Sequence, residues 1–325
     1  MGLSLRPYQL LCAVCALGAE NPESVDEGTG MLLDRVRSQP DMPVTLQCNA
    51  GDVFHYQNPG THDDTPEGTS FNVRRDLEIL QKLNLFPGCT LPVRMFFHRL
   101  LAASDDSEGI CGFSDSTSGA WTGCPKALSG QYQRGYAKGI DAIIPPRSAE
   151  VMTSEKQDSL DAMNGAEAIR VRPHILLCAV CQYGQGIRPP YPEDNLPELL
   201  ALILRQPDRQ ITLAPGADWM MCAPCPYRAG ELNACFIHLG GGGLANQLRD
   251  LRVLQKLGLD FGAVMSAREL FQLIFTRIED TLEIDRFDHD GLSLWHDPCS
   301  SAEKHDYESY AGGRALLMAA LQINR

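Results

Sequence analysis

The chain lacks the features that mark several large protein classes. No apolar run approaches the ~20 residues a helix needs to cross a bilayer; residues Leu199 to Leu204 are among the longest and fall far short. Positive charge is scarce: 28 Lys and Arg stand against 41 Asp and Glu, a net charge of −13 over 325 residues. A surface broadly suited to phosphate backbones is therefore not expected, and neither nucleic acid nor a membrane is an expected partner. Nucleotide and flavin fingerprints are missing as well. Gly240 to Gly243 precedes a helical pattern, as anion-binding loops do. It has no Lys-Ser/Thr and follows no clear strand, so a plain loop is the better reading. The apolar residues Leu10 to Leu17 follow an arginine and superficially resemble a leader peptide. The same segment recurs inside the chain, so it is expected to be structural and the protein cytoplasmic.

What the chain has is apolar content, 44%, enough for a core, and twelve cysteines. In a reducing compartment these are free, metal-bound or catalytic rather than paired.

The sequence is an internal duplication. Leu5-Arg-Pro-Tyr-Gln-Leu-Leu-Cys-Ala-Val-Cys15 matches Val171-Arg-Pro-His-Ile-Leu-Leu-Cys-Ala-Val-Cys181, 166 residues on. Arg75-Asp76-Leu77 and Leu80 to Leu85 match Arg249-Asp250-Leu251 and Leu254 to Leu259 at 174. At that same offset Trp121 pairs with Trp295 and Tyr136 with Tyr310. Each copy is long enough to be a domain. The expected division is 1–144 for the first copy, 145–168 for a polar linker, and 169–325 for the second copy. The two copies are expected to pack as an intramolecular pseudo-dimer.

The fold class expected is α+β, mostly helical, with several helices and a short strand or small sheet in each copy. Proline at Pro173 fits the first turn of a helix through Leu176, Leu177, Val180 and Cys181, because its missing N–H would be unpaired there. A helix is expected over Leu196 to Arg205, and short strands at Val44 to Gln47 and Gln210 to Leu213. Leu244, Leu248, Leu251, Leu254 and Leu257 form a leucine stripe at helical spacing. Gly258, like Asn84 in the first copy, suits a left-handed helix stop. Ser266-Ala-Arg-Glu269 is a capping box for one more helix.

The chemistry lies in the second copy's cysteines. Cys222-Ala-Pro-Cys225-Pro226 is a C-x-x-C-P turn, and Cys235 follows nine residues later. The prolines stiffen the turn and reduce the entropy lost on binding. Cys178 supplies a remote fourth thiolate, with Cys181 a possible substitute. Four thiolates suit zinc or an iron–sulfur cluster and not magnesium or calcium. Zinc and iron accept such a set equally. His174 lies one helical turn before Cys178. It is a candidate ligand, proton carrier or donor to a sulfur, or simply a packed histidine at a helix start. Arg172 and Arg228 either offset the charge of a thiolate centre or sit on the surface in water.

In the first copy the turn is gone. Tyr56 and Pro59 stand at the Cys222 and Cys225 positions, and His55 and His62 read as polar loop residues. Cys12, Cys48, Cys89, Cys111 and Cys124 follow no recognised ligand spacing, so this copy is expected to be a scaffold. The acidic run Glu279 to Asp290 reads as a solvated face. Matched tails around Trp121 and Trp295 are expected to cap each core.

The string Arg172-Pro173-His174-x-Leu-Leu-Cys178, a strand, Asp218-x-x-x-Cys222-x-x-Cys225-Pro226, Cys235, and then Arg249-Asp250 in a leucine-rich helix resembles domain-of-unknown-function family 1284. These are small prokaryotic proteins regarded as iron–sulfur binders. The resemblance covers Arg172 to about Ile278 and is looser in the first copy. It implies that Cys178, Cys222, Cys225 and Cys235 hold an iron–sulfur cluster, with Cys181 extra and with His174 and Arg172 beside it. It implies no reaction. The expected role is electron transfer, sensing or structure, with an unidentified protein or redox partner. The alternatives are a zinc-stabilised interaction module and a cluster-dependent oxidoreductase with a pocket between the copies.

Overall fold

The computed structural model describes residues 2–48, 65, 67–113, 123–229, 234–237, 241–285 and 305–323. They form two units, Met1–Pro146 and Arg147–Arg325.

In the first unit, β1 (Leu3–Leu5) leads into α1 (Pro7–Leu17) and α2 (Glu27–Ser38), then β2 (Pro43–Leu46). After α3 (Thr69–Lys82) come β3 (Thr90–Pro92), α4 (Val93–Ala103) and α5 (Gln131–Ala137). β2 is the middle strand, parallel to β1 and antiparallel to β3.

The second unit opens with α6 (Ala149–Gly165) and then repeats the plan. β4 (Ala168–Val171), α7 (Pro173–Gly184), α8 (Leu196–Arg205) and β5 (Gln210–Leu213) are followed by α9 (Trp219–Cys222). A two-stranded ribbon, β6 (Arg228–Ala229) and β7 (Ala234–Cys235), precedes α10 (Gly241–Leu257) and β8 (Val264–Ser266). Then come α11 (Ala267–Arg277), α12 (Leu282–Asp285) and α13 (His305–Ala320). β5 is again central, parallel to β4 and antiparallel to β8. The class is α+β and mostly helical. Among the described residues no helix is long and apolar enough to cross a membrane.

Local chemistry explains many boundaries. Pro7 and Pro173 open α1 and α7 in the first turn. Asn84 and Gly258 take positive φ, 51° and 69°, where α3 and α10 stop. Ser266 and Glu269 form the reciprocal capping box of α11.

Three expectations change. The polar stretch 145–168 is mainly α6 rather than a free linker: Ser148 caps it, and Met163 and Ser159 are fully buried in the second unit. Most of the leucine stripe of α10 faces outward: Leu244, Leu248 and Leu251 are more than 40% exposed, while Arg249, Asp250, Val253, Leu254 and Leu257 are buried. An inward ion pair turns that helix away from its leucine face. Finally, Tyr310 corresponds to Tyr132 and not to Tyr136. Tyr132 Oη donates to Ser104 O (3.0 Å) and Tyr310 Oη to Ile278 O (3.1 Å). Both helices cross their partners at glycines. A Cβ on Gly135 would stand 1.9 Å from Val14 O, and one on Gly313 2.0 Å from Val180 O. The last helix therefore aligns at an offset of 178, one turn further than the tryptophans indicate. The segments carrying Trp121, Trp295, His55, His62, Tyr56 and Pro59 lie outside the described residues, as do residues 286–290 of the acidic run.

Candidate metal centre

The C-x-x-C-P turn is built by short-range backbone bonds. Asp218 caps α9 by accepting the Met220 N–H (2.8 Å) and is held by Arg170 (3.0 Å). Cys222 N–H donates to Asp218 O, Cys225 N–H to Cys222 O, and Arg228 N–H to Cys225 O. The ribbon then returns Cys235 opposite Arg228. Gly243 lets α10 start against it: a Cβ there would lie 2.3 Å from Cys235 O. The glycine run read as a loop is thus, from Gly241 on, the first turn of a helix that positions a site cysteine.

An arginine from the supposed linker holds the turn. Arg147 Nη1 donates to the carbonyls of Ala223 (2.9 Å) and Cys225 (2.5 Å), while its Nη2 donates to Glu155 of α6 (2.8 Å). Arg228 reaches the same Glu155 oxygen at 3.3 Å, so it is tied into this network rather than free on the surface. Neither Arg147 nor Glu155 was legible as part of a site, because a polar run looks the same whether its charges face water or carbonyls.

Cys222, Cys225 and Cys235 come within electrostatic reach of one another. Burial pushes all three thiols up. Two opposing features favour thiolate: Cys225 accepts the backbone N–H of Tyr227, and Cys235 that of Ile237. The positive charge of Arg172 also acts on Cys222 and Cys235. Cys178 and Cys181 sit half-buried on α7, packed against the second unit's core. Among the described residues, no three His, Cys, Asp or Glu side chains converge closely enough to hold a metal ion.

Arg172 is not the surface residue of one sequence reading, whereas His174 is the packed histidine at a helix start that another allowed. Arg172 is 3% exposed, not a surface residue, and pairs with Asp250 through Nε (2.9 Å) and Nη2 (2.7 Å). His174 donates its backbone N–H (3.0 Å) and its Nδ1–H (2.7 Å) to the other Asp250 oxygen. Its Nδ1–H goes to a carboxylate rather than to a sulfur. Asp250 thereby caps α7 from a distant helix. Burial pushes His174 below its ordinary value despite Asp250, so the imidazole is neutral at pH 7. Burial alone would raise Asp250, but the His174 hydrogen bond and the Arg172 charge hold it below the usual range. Asn246 completes the motif by accepting from Arg249 (2.7 Å), as Asn72 does from Arg75 (2.6 Å). The repeated Asn-x-x-Arg-Asp was the available signal for this buried network.

Compared with protein-family models, with curated proteins and with solved structures, the chain finds no match, so the family resemblance rests on its motif residues alone.

Proposed function

We propose that this is a cytoplasmic metal-binding protein whose second unit holds one iron–sulfur cluster. It would pass or sense electrons with a protein partner. Cys222, Cys225 and Cys235 would be three ligands, and Cys178, from α7, the fourth. The cluster supplies a one-electron redox centre when bound. The observation that carries this reading is the pair of backbone N–H groups directed at Cys225 and Cys235. Such donors stabilise thiolate over thiol, and here they reach two cysteines that one turn and its ribbon bring near each other. Arg147 fixes the turn from behind, and Arg172 brings positive charge toward two sulfurs without ligating.

The test is iron, sulfide and zinc analysis with visible absorption on chain purified without oxygen. Cys222→Ser should lose most of the iron bound by the second unit, and Cys181→Ser should keep it. If Cys181→Ser strips the iron while Cys235→Ser does not, the ligand set is wrong. A colourless protein with zinc on these cysteines would replace the cluster with a metal-stapled binding module. Arg147→Ala should weaken retention about 10–100-fold without removing a ligand, as loss of an outer support does; chelator competition measures it.

A further inference from the structure

The first unit gathers four cysteines that sequence spacing left unconnected. Cys12 and Cys15 are one turn apart on α1. Cys111 and Cys124 meet through a backbone bond, Cys124 N–H to Cys111 O at 2.7 Å. That approach requires Gly123, whose φ is +86° and whose Cβ would lie 2.4 Å from Cys111 O. All four side chains line one cavity of about 40 Å³, together with Arg75, Ser107 and Lys126. One water needs roughly 10–15 Å³ on this measure, so the space suits a group of several atoms.

Two buried donors point to an occupant. Ser107 and Arg75 are each 1% exposed. Ser107 Oγ and Arg75 Nε have no hydrogen-bond partner among the described residues. Arg75 is otherwise well held, by Asn72 through Nη2 and over the Tyr8 ring at 4.1 Å. A buried N–H or O–H without a partner costs about 1–3 kcal/mol. Both residues line the cavity that the four cysteines line, and cysteines serving only as small apolar residues would not explain unpaired donors there.

We propose that the first unit carries a second iron–sulfur cluster, ligated by Cys12, Cys15, Cys111 and Cys124, with Ser107 Oγ–H and Arg75 Nε–H donating to its sulfurs. A single zinc accepts the same four thiolates but carries no sulfide, so sulfide analysis separates the two. Binding replaces four S–H bonds with four Fe–S bonds and releases four protons to solvent. Arg75 and Lys126 outweigh Asp26 on the cavity wall and offset the negative charge of the thiolate-bound centre. The retention of the Cys12/Cys15 pair in a copy without the C-x-x-C-P turn then has a cause. This departs from the scaffold role expected for residues 1–144, and it stands independently of the second unit's site.

The experiment compares full-length wild type, Cys12→Ala/Cys124→Ala and Cys222→Ala/Cys225→Ala. Each is reconstituted anaerobically with iron and sulfide, then assayed for iron, sulfide and zinc. The wild type should hold two clusters, and each double variant should lose one. Clusters lost only from Cys12→Ala/Cys124→Ala would support this site while overturning that of the second unit. Equal iron and sulfide in wild type and Cys12→Ala/Cys124→Ala would overturn it, as would zinc without sulfide on these cysteines. Ser107→Ala guards against a folding artefact. It should keep its iron and circular dichroism but lower the cluster's reduction potential, because a donor to sulfur is lost. An unchanged potential would remove Ser107 from the site.

Discussion

One carboxylate does the same work in both units with different neighbours. Asp76 accepts from Arg6 Nε (2.8 Å) and from the Tyr8 N–H (3.0 Å), as Asp250 does from Arg172 and His174. Tyr8 offers no second donor to the carboxylate, and there burial prevails, raising Asp76 from 3.8 to about 6. The consequences for stability have opposite signs. His174 is depressed from 6.5, so its contribution is complete above about pH 6.5 and is lost as pH falls below it. Asp76 is raised, so its contribution is complete below 3.8 and is lost as pH rises through about 6. Between pH 6.5 and 4, acid should weaken α7 and strengthen α1. Residue-resolved hydrogen exchange, corrected for its intrinsic pH dependence, reads both helices in one sample. His174→Tyr should abolish the acid loss at α7. An acid response at α7 that survives this substitution would remove the imidazole as its source.

At the scale of elements, the closest packing is glycine against backbone, where α1 crosses α5 and α7 crosses α13. Gly313→Ala should cost at least about 1–3 kcal/mol, the usual range for overpacking, because its Cβ would meet the Val180 carbonyl rather than a movable side chain. A urea midpoint unchanged from wild type would show that this crossing can open. Such contacts also mark the limit of what the sequence discloses. Capping residues, first-turn prolines and alternating strands act over a few positions, so α8, β5 and the start of α11 were readable one residue at a time. The buried side of α10 was not. Leucine spacing is strong there, and the inward pull of Asp250 comes from residues nearly eighty positions earlier. The cysteines divide likewise. Cys222 and Cys225 announce themselves by spacing, whereas Cys12 and Cys124 meet only because α1 and a distant turn are folded together.

At the scale of the whole molecule, the described residues form two hydrophobic cores with no residue in common. Each is assembled from its own sheet and helices, so the units have the means to fold separately. Leu10 and Leu176 are equivalent positions on α1 and α7, and both are fully buried. Truncating either to alanine should cost about 2–5 kcal/mol, the range for a leucine deleted from a packed core. Separate cores make those losses local. Leu10→Ala should speed exchange of the α4 amides while leaving α11 unchanged, and Leu176→Ala should do the reverse. If each substitution loosens both helices equally, the units unfold as one cooperative body, and loss of a cluster from one would also destabilise the other. If the effects stay apart, the units unfold independently, and either proposed centre could be lost without loosening the other unit.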